Sequence, residues 1–375
     1  MSDVSWVLKQ FRVEGEFLNA RPAGSGHIND TYLAQFQRAG LNVSYILQRI
    51  NRHVFPDPPA MMENIVRVTR HIRRKLEARG VQDISRRALR VILAHDGSPY
   101  FRDPEGDYWR FYDYIEKAGS YDSLGSPGQA FEAARMFGGF LEMLRDFPDP
   151  PLHETIPGFH DGQKRLAAFQ KALAGDPYNR AQAARPEIDF ALAHAGLFDL
   201  LPDLVKEGKI PLRATHNDTK VNNVLLDETT GEGVCVIDLD TVMPGLSLYD
   251  FGDLARSTLS SAAEDEADAA RIRVDMSRFE AILKGFLAAA GGILTETERS
   301  CLVFSTKMMT QIIGVRFLTD YLLGDTYFKV HREGHNLDRC RRQFKLVQSI
   351  MEHEERMEDM VGKYICIKLP TNYTN

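Results

Sequence analysis

The first third of the chain alternates hydrophobic and polar residues at strand spacing, then changes to helical spacing. This alternation, with turn residues between the runs, predicts three strands across residues 16–50, in the segments EFLNARPA, TYLAQF and SYILQRI. Residues 60–80 then place apolar side chains at the period of one helix face, which predicts a single long helix. Two more strands, ALRVILAH and YWRFYDYIE, are predicted on either side of a turn at 96–107. The order predicts a small sheet lobe with one long helix.

Helical periodicity dominates the rest of the chain. Most of 127–207 and 277–362 carries apolar residues at helix spacing. Two short apolar runs, VNNVLL and GVCVID, interrupt these helices, and the turn DETTGE between them predicts a hairpin. We therefore expect a two-lobed α+β fold, with a sheet lobe over residues 1–115 and a larger, mostly helical lobe over 116–375.

Composition limits the partners that the chain can have. The 375 residues carry a formal net charge of −6, which argues against a nucleic-acid binder, since such proteins usually have a basic excess. No uninterrupted apolar stretch is long enough for a membrane span or a signal peptide, and the four cysteines show no paired spacing. We expect a reduced, cytoplasmic protein without a membrane partner, either a monomer or a weak dimer.

The polar residues of greatest interest flank the predicted hairpin. The segment before its first strand contains Asp218, Lys220 and Asn223 in the spacing D-x-K-x-x-N, and its second strand ends in Asp238. Phosphoryl transfer needs a carboxylate that orients the attacking hydroxyl, oxygen ligands that hold Mg²⁺, and a cation that balances the developing charge. We assign the first role to Asp218, the second to Asn223 and Asp238, and part of the third to Lys220. One or two protein carboxylates are enough for Mg²⁺.

The stretch HNDTKVNNVLL, followed by VCVIDLD and YDFGDLA, resembles the aminoglycoside phosphotransferase and choline kinase family. The resemblance implies a protein-kinase-like fold, with ATP as phosphoryl donor and Mg²⁺ as cofactor. The family loop usually reads H-G-D, and Asn217 replaces its glycine because Asn tolerates unusual backbone angles better than most residues. The resemblance also implies that Asp238 binds the metal. Asp250, although it begins the letters DFG, is then expected to accept hydrogen bonds from the catalytic loop.

The sheet lobe is expected to bind the nucleotide. Its first turn offers a candidate phosphate-covering loop, formed by Gly24, Ser25 and Gly26. The third strand carries Arg49 in place of the usual lysine, and we expect it to pair with phosphate oxygens or with Glu63 of the long helix. Gln48 faces the opposite side and would exchange roles with Arg49 if the register shifted. The adenine is expected near the lobe connection, at Tyr114 and Ile115.

Segments along nearly the whole chain, among them GSGHINDTY, YILQRIN and VRFLTDYLLGDTYF, resemble the bacterial N-acetylhexosamine 1-kinases. The resemblance implies transfer to the anomeric hydroxyl of N-acetylglucosamine or N-acetylgalactosamine, with Asp218 at that hydroxyl and His27, Arg316 and Tyr327 around the sugar. The residues alone leave other roles open. Arg316 could pair with Asp320 one turn later, Tyr327 could pack in the core, and His27 could be a turn residue. A kinase of homoserine, choline or an aminoglycoside, or a catalytically silent nucleotide-binding module, is the alternative.

Overall fold

The computed structural model describes residues 4–23, 28–260, 266 and 268–366. The elements of the first lobe are α1 (Ser5–Leu8), β1 (Glu16–Pro22), β2 (Asp30–Arg38), β3 (Leu41–Ile50), α2 (Pro58–Ala78), α3 (Ile84–Arg87), β4 (Phe101–Arg102) and β5 (Tyr108–Asp113). The second lobe begins with β6 (Ala118–Gly119), α4 (Pro127–Met143), α5 (Gly162–Gly175), α6 (Arg185–Ala193), α7 (Leu200–Lys206) and β7 (Arg213–Thr215). It continues with β8 (Val224–Asp227), β9 (Gly233–Val236), β10 (Met243–Gly245), α8 (Ser247–Thr258), α9 (Met276–Ala290), α10 (Glu296–Ser300), α11 (Leu302–Leu322) and α12 (His335–Cys366).

The first lobe is built on an antiparallel five-stranded sheet in the order β1-β2-β3-β5-β4. Successive side chains of β3 and β5 point to opposite faces. One face packs Tyr45, Leu47, Trp109 and Phe111 with the apolar residues of α1. The other face turns toward α2 and the second lobe. The register opposes Gln48 to Arg110, and both lie on this second face.

One predicted strand is wrong. Residues 88–95, ALRVILAH, form two isolated bridges, from Val91 to Tyr112 and from Ala94 to Phe11, instead of a regular strand. Strand β4 pairs with the first residues of β5. Strand β4 itself lies inside the segment that was expected to be a turn. The three strands of 16–50, β5 and the long helix are confirmed.

Helix α2 begins where its sequence provides a cap and buries the face that its periodicity predicts. Asp57 accepts a hydrogen bond from the backbone N–H of Ala60 at 3.1 Å, and prolines fill the first turn. The buried apolar side chains on the helix are Met61, Met62, Ile65, Val68 and Ile72. Full burial of one such side chain contributes about 1.5–3 kcal/mol, so this stripe holds the helix between the sheet and the second lobe.

The second lobe is a helical body that supports a small hairpin. Helices α4 and α9 pack so closely that a Cβ on Gly285 would lie 2.2 Å from the carbonyl oxygen of Phe131, which explains the glycine. Strands β8 and β9 form the predicted hairpin, β6 adds a third strand, and β7 pairs with β10. Within the described part of the chain, no helix is both long and apolar enough to cross a membrane. The boundary at residue 115 stays a prediction.

Candidate active site

The loop between β7 and β8 is held in an uncommon backbone conformation by Asn217. This residue has φ of 64°, in the left-handed region that Asn tolerates. Its side-chain amide donates to the carbonyl oxygens of Thr241 at 3.0 Å and Met243 at 3.3 Å, and its oxygen accepts from the hydroxyl of Thr215. Asn217 therefore ties the loop to the segment that leads into β10. Gly245 leaves room for this contact, since a Cβ there would lie 2.4 Å from the Asn217 oxygen.

Asp250 supports the same loop from below. Its carboxylate accepts the backbone N–H groups of His216 at 3.0 Å and Asn217 at 2.7 Å, from a position in the first turn of α8. Burial raises its pKa to about 7, although the two backbone hydrogen bonds oppose this shift. Asp250 thus has the supporting position that the resemblance implied for it.

Asp218, Lys220 and Asn223 meet at the end of the loop, as predicted. The ammonium of Lys220 lies 3.2 Å from one Asp218 oxygen, and the Asn223 amide donates to the other oxygen at 3.1 Å. The same amide nitrogen donates to the Asp218 carbonyl at 2.8 Å. Desolvation opposes ionisation of Asp218, but Lys220 and His216 outweigh it, so its pKa lies below the usual value. The carboxylate is therefore ionised at neutral pH and can accept a hydroxyl proton.

Asp238 ends the return strand of the hairpin and opens onto the same cleft. It adopts the left-handed conformation, with φ of 58°, which turns its side chain away from the strand. Among the described residues, its carboxylate has no hydrogen-bonding or salt-bridge partner within 4 Å. Desolvation, and then the neighbouring Asp240 and Asp218, raise its pKa to about 7. A bound cation would offset the repulsion between these carboxylates and the cost of burying the charge of Asp238.

These residues fit a magnesium ion. The Asn223 amide nitrogen is committed to Asp218, which leaves its oxygen without a partner among the residues that the structure describes, and the Asp238 carboxylate is unpaired. An amide oxygen and a carboxylate are hard oxygen donors of the kind that Mg²⁺ takes together with phosphate oxygens. No group of three or more His, Cys, Asp or Glu side chains suited to a metal occurs in the described ranges, so an all-carboxylate or histidine site is not built there.

The predicted pairing of Arg49 with Glu63 is wrong. Arg49 lies on the sheet face opposite the cleft, where it donates to Asp30 at 2.9 Å and to Asp107 at 3.2 Å. Glu63 contacts the imidazole of His153 at 3.1 Å instead. The alternation of β3 decides this outcome, because adjacent residues of a strand point to opposite faces. A role for either residue in nucleotide binding stays a prediction.

The arginine on the cleft side is Arg110 of β5, which sequence reasoning missed. Its guanidinium donates through two nitrogens to the carboxylate of Asp240, one of them at 3.0 Å, and through Nε to Gln48 at 2.9 Å. Asp240 also accepts from the amide of Asn29 at 2.8 Å. Asp240 follows Asp238, a predicted metal ligand, by two positions, so this buried pair joins the two lobes beside the predicted metal site. Its only sequence signal was the second aspartate of IDLD.

The lobe connection carries two residues predicted to bind the nucleotide, Ile115 and Tyr114. Ile115 is buried against the hairpin with Val234 and Cys235. Tyr114 is 39% exposed, and its backbone N–H donates to the carbonyl of Ser44. The turn residues Gly24, Ser25 and Gly26 and the predicted sugar ligand His27 lie outside the described residues. Their roles stay predictions.

A cavity of about 130 Å³ opens beside Asp218 and is lined by Arg316 and Tyr327, two of the predicted sugar ligands. Its walls include Asp218, Lys220 and Asp238 at one end and Arg316, Tyr327 and Phe328 at the other. The Arg316 guanidinium lies 5.0–5.6 Å from the ring centres of Phe159, Tyr327 and Phe328. Stacking on three rings leaves the edge of the guanidinium as its hydrogen-bonding surface.

Asp320 is not the partner of Arg316. Its carboxylate accepts the backbone N–H groups of Thr326, Tyr327 and Phe328 at 2.8–2.9 Å and the amide of Asn336 at 2.9 Å. Asp320 therefore fixes the turn after α11 and, with it, the two rings that flank Arg316. Tyr327 is 46% exposed, so it is not a core residue.

Two comparisons place the chain among known proteins. A sequence model of the phosphotransferase enzyme family, APH, matches residues 19–281, more than half of the chain. The fold is similar to an aminoglycoside phosphotransferase from Alicyclobacillus acidocaldarius (TM-score 0.60, 14% identity, 95% of each chain). It is also similar to a choline kinase from Cryptosporidium parvum Iowa II (TM-score 0.56, 12% identity, 92% of this chain and 93% of that one).

A third similar structure is an ethanolamine kinase from Plasmodium vivax (TM-score 0.53, 12% identity, 87% of this chain and 82% of that one). At these identities the structures speak for the fold alone, and they confirm the predicted protein-kinase-like architecture of a sheet lobe and a helical lobe. The family match covers the catalytic loop, the hairpin and α8. The chain therefore belongs to the phosphotransferase enzyme family, APH.

Proposed function

We propose that the chain is a Mg-ATP-dependent kinase that phosphorylates a hydroxyl group of a small molecule. The observation that supports this most is the convergence of Asp218, Asn223 and Asp238 at one end of a cavity. The Asp218 carboxylate, which can accept a proton, lies beside the side-chain oxygens of Asn223 and Asp238, which could bind a metal ion. This is the arrangement that in-line phosphoryl transfer requires.

The residues divide the work of the reaction. Asp218 accepts a hydrogen bond from the acceptor hydroxyl and takes up its proton. The acceptor oxygen bonds to the γ-phosphorus of ATP while the bond from that phosphorus to the bridging oxygen breaks and ADP leaves. Asn223, which donates to Asp218, holds that carboxylate in place. Lys220 lies 3.2 Å from Asp218 and presents positive charge to the transferring phosphoryl group. Asn223 and Asp238 would hold Mg²⁺, which supplies charge neutralisation at the phosphate oxygens. The catalytic loop moves little during this step, because Asn217 and Asp250 fix its backbone.

We further propose that the acceptor is an N-acetylhexosamine, phosphorylated at its anomeric hydroxyl. The resemblance to N-acetylhexosamine 1-kinases is the first support. The second is the cavity, which combines hydrogen-bonding groups with aromatic surface, as a sugar with an apolar ring face requires. Arg316 presents N–H donors at the end far from Asp218, where an amide carbonyl of the acceptor could accept them.

A choline or ethanolamine kinase is the second candidate, because two of the similar structures have those activities by name. The rings of Phe159, Tyr327 and Phe328 could form a cage for a quaternary ammonium group. That space is taken up by the Arg316 guanidinium, which lies over all three rings. A cationic acceptor would have to displace a like charge, so the geometry favours a neutral one.

The test is ³¹P and ¹H NMR of the protein with Mg-ATP and single acceptors: N-acetylglucosamine, N-acetylgalactosamine, glucose, homoserine, choline and kanamycin. A new phosphate resonance coupled to an anomeric proton is the expected result. A phosphorylated amino alcohol or antibiotic would retain the kinase and refute the sugar. ATP binding without turnover of any acceptor would support a silent module instead. The Asp218→Asn variant is the matched negative control.

A further inference from the structure

His160 lies against the catalytic loop with one ring nitrogen unused. Its Nε2–H donates to the backbone carbonyl of Asn217 at 2.7 Å, so Nδ1 carries the lone pair. The residue is only 5% exposed and lines the cavity, yet Nδ1 has no hydrogen-bond partner in the described part of the structure. The ring is held between Phe159 and Tyr249, with centroids 4.4 and 5.2 Å away. Nδ1 is thus a fixed hydrogen-bond acceptor.

Asp253, which lines the same cavity, carries a second unused acceptor. One carboxylate oxygen, Oδ1, accepts from Nε of Arg256 at 2.9 Å, and the residue is 2% exposed. The other oxygen, Oδ2, is buried without a partner among the described residues. Asp253 follows Asp250 by one turn of α8, so the helix that supports the catalytic loop also carries this group. His160, Asp253 and Asp218 all line this one cavity.

Unused buried acceptors are uncommon, because an unsatisfied polar atom costs folding free energy. Two of them in one cavity indicate a ligand that brings donors. A quaternary ammonium group has no N–H or O–H to offer. An amine would have to approach Arg256, Arg316 and Lys220, which line the same cavity. Hydroxyl groups of a neutral compound meet both conditions.

We infer that His160 Nδ1 and Asp253 Oδ2 form a hydroxyl-binding subsite that orients a polyhydroxylated acceptor beside Asp218. The inference rests on the proposed function and names residues that determine its acceptor class. The acceptor carries at least two hydroxyl groups besides the one that reacts. Each donates to one of these two atoms, which turns the reacting hydroxyl toward Asp218.

The neutral state of His160 supports this role. Burial first of all, and the charge of Arg316 in addition, lower its pKa to about 4. The imidazole therefore keeps its Nδ1 lone pair throughout the neutral range. A protonated imidazole would donate from both nitrogens and could not accept a hydroxyl hydrogen bond.

The sharpest variant is Asp253→Asn. It keeps the oxygen that accepts from Arg256 and replaces Oδ2 with an NH₂ group, which donates and cannot accept. The expected result is an acceptor KM raised about 10- to 100-fold, since a hydrogen bond to a charged group is lost, with the ATP KM within about twofold of wild type. His160→Gln is the second variant, because its amide can keep the bond to Asn217 while the Nδ1 acceptor is removed. Asp203→Asn, an exposed aspartate on α7, is the matched control and keeps wild-type kinetics.

Deoxy analogues of the best acceptor complete the test. If a given hydroxyl donates to Asp253, removal of that hydroxyl raises the acceptor KM of wild type by the same factor as the Asp253→Asn substitution does. Its removal does not raise the acceptor KM of the variant further. An acceptor KM within twofold of wild type in both variants, or additive losses with every deoxy analogue, would overturn the subsite. Preference for choline or homoserine over every sugar would do the same.

Failure of the subsite and failure of the kinase give different results. If no acceptor is phosphorylated, the proposed function fails, and the subsite is judged by saturation-transfer NMR of the sugars without ATP. Sugar binding that is lost in Asp253→Asn would then support the subsite. Absence of sugar binding to wild type would overturn it. The melting temperatures of Asp253→Asn and His160→Gln show whether either variant fails to fold. If one of them is unfolded, the kinetics of the folded variant test the subsite.

Discussion

The buried pair of Arg110 and Asp240 should be among the largest single electrostatic contributions to the stability of this protein. The two side chains are 1% and 3% exposed, and the guanidinium contacts both carboxylate oxygens. Removal of one partner leaves an uncompensated buried charge, which costs about 3–5 kcal/mol. We therefore expect Arg110→Met and Asp240→Asn each to lose about that much. At about 2.1 cal/mol/K per residue, the 375-residue chain has an unfolding entropy of about 0.8 kcal/mol/K, so the melting temperature falls by about 4–6 °C.

A double-mutant cycle separates the pair from its surroundings. Arg110 also donates to Gln48, and Asp240 also accepts from Asn29, so each single variant disturbs one further contact. If the charges compensate each other, the double variant loses much less than the sum of the two single losses. The assay is equilibrium urea unfolding followed by fluorescence and circular dichroism, with thermal unfolding as a second measurement.

The control is Arg185→Met, which breaks an exposed pair with Asp189 on α6, where the two side chains are 73% and 54% exposed. Such an exposed pair contributes little to stability, because water and salt screen its charges. The reasoning is refuted if Arg110→Met is no more destabilising than Arg185→Met. It is also refuted if the losses in the cycle simply add.

Four further predictions follow from the site. Asp218→Asn should lower kcat by about 10²–10⁴, the usual contribution of a general base, with an unchanged ATP KM in steady-state kinetics. Asp238→Ala should weaken the thermal stabilisation by ATP that depends on Mg²⁺, and leave the metal-free response as in wild type. Asn217→Ala should lower the melting temperature more than Asn217→Gly, because both lose the buried side-chain hydrogen bonds but only alanine is strained at φ of 64°. The His160 imidazole is neutral in the folded protein, whereas its pKa is near 6.5 in the unfolded chain. The free energy of unfolding is therefore highest above pH 6.5 and decreases as the pH drops toward 4, by about 3 kcal/mol in total. Unfolding of wild type and His160→Gln between pH 7 and 4.5 measures this difference, and parallel pH profiles of the two proteins would contradict it.

The residues of the proposed catalytic centre could be identified from the sequence because they are close along the chain. Asp218, Lys220 and Asn223 share one loop, and the return strand of a short hairpin brings back Asp238. A hairpin fixes its own geometry locally, so spacing alone is informative. Asn217 and Asp250 belong to the same stretch. Asn217 has the unusual backbone conformation expected of it, and Asp250 accepts the loop N–H groups as the resemblance implied. The three strands of 16–50, β5 and the long helix were predicted for the same reason, from local periodicity, whereas the predicted strand at 88–95 was wrong.

The side chains of the sheet and of distant helices that meet at that centre are brought there by the packing of the lobes. Strand alternation predicts that the side chains of Gln48 and Arg49 point to opposite faces of the sheet. Packing of the sheet against α1 and α2 decides which face becomes the cleft. Arg110 and Asp240, which form an ion pair, are 130 positions apart in the sequence. His160 and Asn217 of the loop, which share a hydrogen bond, are 57 positions apart. Short-range patterns carry no information about such contacts, since they form when the lobes and helices pack together.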